Sequence, residues 1–212
     1  MKTCFIIGGG ASLKPEVDNG VFKFLENRGE VWSINFAYKL MGYEPTKQIW
    51  LDKSFWENNK KDILAMKSAE LCTKVNGNDY YPERVNVFRT SRDPVHSNEE
   101  LFVGHNGLSG LFAVSLAWKR GYERVYLLGY DYGSVSSNAT HWYQNMAISM
   151  GIKSHGIGNT KVYLDDNGNI KWSDDWKYYE SFKNHVINVG LDSNIKVFPK
   201  ISYPDFYKEI GK

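Results

Sequence analysis

Cysteine is scarce, charge is balanced, and no long apolar run occurs in this chain. The two cysteines, Cys4 and Cys72, have no metal-ligand spacing. They exclude a disulfide framework and a Cys/His metal cluster, and they read as reduced, buried thiols, which points to the cytoplasm. A net charge of +2, from 26 basic and 24 acidic side chains, gives no strong nucleic-acid signal. No apolar run approaches the ~20 residues that span a bilayer, and the first strand starts too close to Met1 to leave room for a signal peptide, so no membrane span is expected. There is no G-x-S-x-G elbow, no G-K-[ST] phosphate loop and no HExxH, which weakens hydrolase and zinc-enzyme readings. Repeats, linkers and low-complexity stretches are also missing. Residues 1–212 therefore read as a single domain with room for a large core.

Two features stand out against those absences. One is the aromatic load of seven Trp, fourteen Tyr and eleven Phe, many in polar stretches, as suits either sugar and base platforms or ordinary cores. The other is the opening, where the apolar run Lys2 to Ile7 breaks into Gly8-Gly9-Gly10-Ala11-Ser12-Leu13. A buried strand ending in glycines brings backbone N–H groups close to a ligand, and a helix starting there would aim its positive end at a phosphate. The same glycines are compatible with a simple tight turn.

Along the chain, strands and helices alternate, which predicts an α/β fold: a Rossmann-like, mostly parallel sheet with flanking helices. Strands are expected at Lys2 to Ile7, Val31 to Ile34, Gln48 to Leu51, Cys72 to Val75, Val85 to Phe88, Arg124 to Leu128 and Ile195 to Phe198. Helices are expected at Pro15 to Arg28, Phe36 to Met41, Phe55 to Met66, Leu108 to Arg120 and Trp176 to Val189, with a short tail helix last. The Asp165–Asn169 turn signal predicts a C-terminal hairpin insertion, Lys161 to Trp172, inside a lid at residues 133–175.

Residues just past parallel strands converge on one crevice, which makes them the candidate site. They are Gly8, Gly9, Gly10 and Ser12, then Asn35, then Asp52, and finally Asp131 and Tyr132 in Gly129-Tyr130-Asp131-Tyr132-Gly133. Ser109 and Gly110 open the apolar helix, where Ser109 serves either as a cap or as part of an anion site. Asn35 and Asp52 are equally common as turn-formers. His141 and His155 suit a general base, since an unperturbed imidazole titrates near ~6.5. Tyr130, Tyr132 and Tyr143 are candidate phosphate donors, whereas His96 and His185 read as structural.

The order of these motifs resembles the bacterial CMP-sialic-acid transferases and their Rossmann-like relatives, among them flagellin-associated glycosyltransferases, 6-hydroxymethylpterin pyrophosphokinase-like proteins and phage proteins. The resemblance covers Met1 to Gly133 best and is closest from Ser109 to Ala117 and from Leu128 to Asp131. It implies that Gly8, Gly10, Ser12, Asn35, Asp52, Ser109 and Gly110 contact the nucleotide of a CMP-type sugar donor. A histidine would act as base, here His155 or His141, with tyrosines serving the phosphate and no cofactor required. Two departures matter, because the family usually carries Asn in place of both Gly9 and Asp52. The second exchange puts negative charge beside an anionic donor. It suits the alternative of an ATP-dependent pyrophosphokinase, with Asp52 and Asp131 holding Mg²⁺. A third reading is a non-catalytic protein that sequesters a nucleotide. The acceptor is open among oligosaccharide, protein, modified DNA base and small metabolite, and homo-oligomerisation is open as well.

Overall fold

A computed structural model describes residues 1–75, 80–91, 102–104, 108–132, 180 and 182–211. Its frame is one nine-stranded sheet in the order β6-β5-β4-β3-β2-β1-β7-β8-β9, in which every neighbouring pair is parallel. The strands are β1 (Thr3–Ile7), β2 (Glu30–Ile34), β3 (Lys47–Ile49), β4 (Glu70–Lys74), β5 (Val85–Ser91), β6 (Phe102–Gly104), β7 (Arg124–Leu128), β8 (Val186–Val189) and β9 (Lys200–Ile201). The helices are α1 (Leu13–Asp18), α2 (Val21–Leu25), α3 (Lys53–Ala65), α4 (Ser109–Lys119) and α5 (Tyr203–Ile210), with a 3₁₀ turn at Asn35–Leu40. This is an α/β, Rossmann-like architecture.

The central strand shows why the sheet must be covered on both faces. Cys4, Phe5, Ile6 and Ile7 are all 0% exposed, as expected for a continuous apolar strand in a parallel sheet. Alternate side chains serve two different cores. Cys4 and Ile6 join Trp32, Ile34, Ile49, Cys72, Val125 and Leu127 against α4, whose Leu111, Phe112, Ala113 and Val114 are all buried. Phe5 and Ile7 join Val31, Tyr126 and Leu128 on the opposite face, beneath α1, α2 and the Phe206 side of α5. A third cluster, with Trp50 stacked on Trp56, fills the space between α3 and β4–β5.

Three expectations are corrected. The single helix over Pro15 to Arg28 is two helices, because Gly20 takes φ +84, a left-handed conformation that ends α1. The long helix to Val189 does not persist, since Val186–Val189 forms β8, paired with β7 from Val125↔Val186 to Leu128↔Val189. β-Branched residues beside an apolar strand prefer that pairing, so tertiary context overrides helical spacing. Ile195 to Phe198 is irregular; Ile195 and Phe198 are buried without a ladder, and the last strand is Lys200–Ile201. The residue 133–175 lid, with its hairpin, lies outside the described residues, as does the Asn76–Asp79 turn.

At the amino ends of the strands, a buried ammonium fixes register. Lys47, 7% exposed, opens β3 between Glu30 of β2 and Glu70 of β4, at 3.5 and 2.5 Å. Trp32 lies under the charge at 5.1 Å and donates to Glu30 through Nε1, and Arg120 reaches Glu70 at 3.1 Å. Burial works to raise the Glu30 carboxyl, but hydrogen bonds from Tyr122 and Trp32 and the Lys47 charge together hold it below its ordinary value. Removing the ammonium leaves the Glu30 carboxylate without a cation among the described residues and Glu70 with Arg120 alone. Lys47→Ala is therefore expected to lower unfolding free energy by about 2–3 kcal/mol in urea titrations. An unchanged midpoint would show that the triad contributes nothing.

A second carboxylate ties the segment between α3 and β4 to the segment before β3. Exposed Glu44 accepts from the Ser68 hydroxyl and from the Ser68 and Lys67 N–H groups, and these bonds hold its carboxyl down to about 2. Since the folded value is depressed, the contribution is complete above the unfolded value of ~4.3 and disappears as pH falls through about 2. Glu44→Gln should thus be less stable than the parent at pH 6, with the difference vanishing near pH 2. Equal losses at both values would reject the assignment.

Candidate functional site

Parallel order places every strand's carboxyl end on one edge, and the strand order reverses between β1 and β7. Loops diverge from such a point and leave a crevice. Here two glycine turns meet at that point. Gly8 N donates to Leu128 O at 2.8 Å and Gly10 N to Gly129 O at 2.7 Å. A Cβ on Gly8 would lie 2.5 Å from Gly129 O, and one on Gly10 would lie 2.5 Å from the Asp131 Cγ. Both glycines are therefore demanded by the protein's own backbone, and Gly129 is demanded as well by its φ of +69.

Asp131 holds the two turns together. Its carboxylate accepts from Ser12 N at 2.8 Å and from the Ser12 hydroxyl in a short bond. The side chain is 5% exposed and sits at the start of α1, where the sequence suggests a ligand's anion. A protein carboxylate thus fills part of that position. Further along the same loop, and among the described residues, no acceptor meets the Gly9 or Ala11 N–H groups.

The segment after β7 is rigidly held from β8. The Ser193 hydroxyl donates to Tyr130 O at 2.6 Å and accepts from Asn188 Nδ2 at 2.6 Å, while Asn194 donates to Asp131 O and Tyr132 O at 2.9 and 3.1 Å. These bonds support Tyr132 at φ +50, an uncommon conformation for a bulky residue. Against these residues, α4 begins with Ser109 and Gly110, both buried. A Cβ on Gly110 would meet the Tyr132 hydroxyl at 2.8 Å and the Tyr130 ring at 2.9 Å. The helix can start this close to the two phenols only because residue 110 has no side chain.

Asn35 follows β2 directly and also takes a left-handed φ, +50. Its carbonyl accepts from Gln48 Nε2 at 2.9 Å. Around it lie Asn35 Oδ1, Ser33 Oγ and Gln48 Oε1, all buried and without hydrogen-bond partners among the described residues. Asp52 stands at the N-cap of α3, but its side chain makes no capping bond to that helix. Asp52 and Asp131 leave the sheet at β3 and β7, three strand spacings or about 14 Å apart. With Asp131 also engaged by Ser12, a shared Mg²⁺ between these carboxylates is not favoured. Among the described residues, no three His, Cys, Asp or Glu side chains gather into a metal site.

The sequence-selected residues thus form two groups on one edge. Gly8, Gly10, Ser12, Asp131, Tyr132, Ser109 and Gly110 meet around β1, β7 and α4, with Gly9 in the same loop, whereas Asn35 and Asp52 border the crevice from β2 and β3. His141, Tyr143 and His155 lie outside the described residues. Sequence reading missed Asn188, Ser193, Asn194 and Tyr203. Asn188 was hidden within the expected helix.

The Ser12–Asp131 pair can be measured directly. In a double-mutant cycle of Ser12→Ala and Asp131→Asn by chemical denaturation, we expect a coupling of about 1–2 kcal/mol. Strict additivity would mean that the two side chains do not stabilise one another. No protein-family model, curated protein or solved structure matches this chain.

Proposed function

We propose that the chain is a transferase that binds a nucleotide-activated donor, of the CMP-sugar type, in the crevice between β1 and β7. The observation that carries this reading is the coincidence of the strand-order reversal with the Gly8–Ser12 turn, whose Gly9 and Ala11 amides have no acceptor among the described residues. Ligands of open parallel sheets bind at such a point, and backbone amides suit phosphate oxygens. Tyr132 beside the first turn of α4 adds a phenol next to a helix N-terminus, which together would stabilise charge developing on a leaving phosphate.

In this reading the acceptor hydroxyl oxygen attacks the donor's anomeric carbon as the bond to the phosphate oxygen breaks, and the hydroxyl proton passes to a histidine, His155 or else His141. The nucleotide leaves with the bonding electrons. Binding would need no metal, because amides and phenols carry the phosphate. The Mg²⁺-dependent pyrophosphokinase reading gains no support from Asp131, whose carboxylate is engaged by Ser12.

Thermal-shift and calorimetric titrations with CMP, a CMP-sugar and ATP, each with and without EDTA, test the proposal. The expected result is metal-independent stabilisation by the cytidine compounds, with slow donor hydrolysis that falls roughly a hundredfold in His155→Ala while donor affinity holds. EDTA-sensitive ATP turnover would replace the transferase by a pyrophosphokinase, and tight binding without turnover would leave a nucleotide-sequestering protein. Gly10→Val is unsuitable as a binding mutant, because its side chain would collide with Asp131.

A further inference from the structure

Helix α5 packs over α1 and reaches the carboxyl edge of the sheet near Ser12 and Gly190, a side that the sequence motifs do not mark. It begins at the carboxyl end of β9 with Ser202 as N-cap, and Phe206 anchors it across the Phe5 and Tyr126 rings. That docking sets two of its tyrosines, one helical turn apart, against two residues of α1 and its cap with the same spacing. Tyr207 faces Glu16 and donates to it at 2.8 Å. Tyr203 faces Ser12. The Tyr203 ring edge and the Ser12 hydroxyl flank Gly190, at 3.9 and 4.0 Å from where its Cβ would lie.

The upper rung of this ladder is made and the lower rung is not. The Tyr203 hydroxyl is buried and meets no acceptor in hydrogen-bonding geometry among the described residues, although Ser12, whose own proton goes to Asp131, lies near enough to influence it. Leaving such a donor unmet is costly, so its place at the carboxyl edge calls for a partner from outside. Charge narrows the kind of partner. Burial raises the Tyr203 phenol, the Asp131 and Glu16 carboxylates act in the same direction, and only the nearby Ser12 hydroxyl opposes them. A donor flanked by two carboxylates is poorly suited to a phosphate and well suited to a neutral hydroxyl, which can accept from the phenol and donate in turn to Ser12 or Asp131.

We propose that Tyr203 is a binding residue of the crevice and that its hydroxyl receives a sugar hydroxyl of the nucleotide, not its phosphate. The inference rests on the nucleotide reading above and assigns its ribose to the α5 side, leaving the phosphate to the Gly9 and Ala11 amides and α4. Calorimetry on the full chain with CMP, 2′-deoxy-CMP, 3′-deoxy-CMP and cytidine tests it, comparing the parent, Tyr203→Phe and Tyr207→Phe. The expected result is a five- to tenfold loss of CMP and cytidine affinity in Tyr203→Phe, no loss for the one deoxy analogue that lacks the contacted hydroxyl, and no such discrimination in Tyr207→Phe. Uniform losses across all four ligands would make Tyr203 a structural residue and overturn the proposal. A loss for CMP but not cytidine would reassign it to the phosphate, and unchanged affinities would also overturn it. If the parent binds none of the four, the nucleotide reading itself falls, an outcome distinct from each of these.

Discussion

The close approach of two backbone turns, after β1 and after β7, is the constraint on which the rest of this structure depends. It allows no side chain at residues 8 and 10, a left-handed glycine at 129, and a carboxylate at 131 to bind the Ser12 amide and hydroxyl. Each requirement follows from the others. A Cβ at residue 10 would displace the carboxylate, and the loss of the carboxylate would release the start of α1. Glycine-rich turns after first strands are usually read as phosphate cradles, but here three of the glycines are already explained by contacts inside the protein. What remains for a ligand is the part of the loop that those contacts leave uncovered.

The two edges of the sheet solve different problems. At the amino edge, the Lys47 triad satisfies its charges internally and locks three strands in register. At the carboxyl edge, several polar atoms are buried without partners among the described residues, including those of Ser33, Asn35, Gln48 and Tyr203. Unmet groups are costly wherever they occur. The unmet atoms of Asn35 and Tyr203, together with the left-handed Asn35 and Tyr132, fit an edge that meets outside molecules.

Much of the fold was legible from local pattern. The apolar run Lys2 to Ile7 read as a buried strand and the stretch Leu108 to Arg120 as a helix leading into a strand, and they are β1, α4 and β7. Legibility failed where identity depends on distant partners. Val186–Val189 becomes a strand because Val125 to Leu128 pairs with it, and helical spacing through Trp176 to Val189 masks that. The site followed the same rule. Glycine, serine, asparagine and aspartate after strands were recognisable as types, but the bond between Ser12 and Asp131 joins residues 119 positions apart, and nothing local announces it. Tyr203 was invisible for a similar reason, since its importance comes from the docking of α5 across β1 and β7.

The placement of β7 also governs the order in which the chain can fold. β1 is made before both of its neighbours, one of which is Arg124–Leu128, with Thr3 in register with Arg124. During synthesis, one edge of this apolar strand can be covered early by β2, while the other stays open until residues up to Leu128 have emerged. Such non-local pairing is slow, and an uncovered apolar edge is prone to aggregation. The reversal of strand order that opens a crevice in the finished protein is, on the nascent chain, a period of exposed edge that α4 and β7 bring to an end.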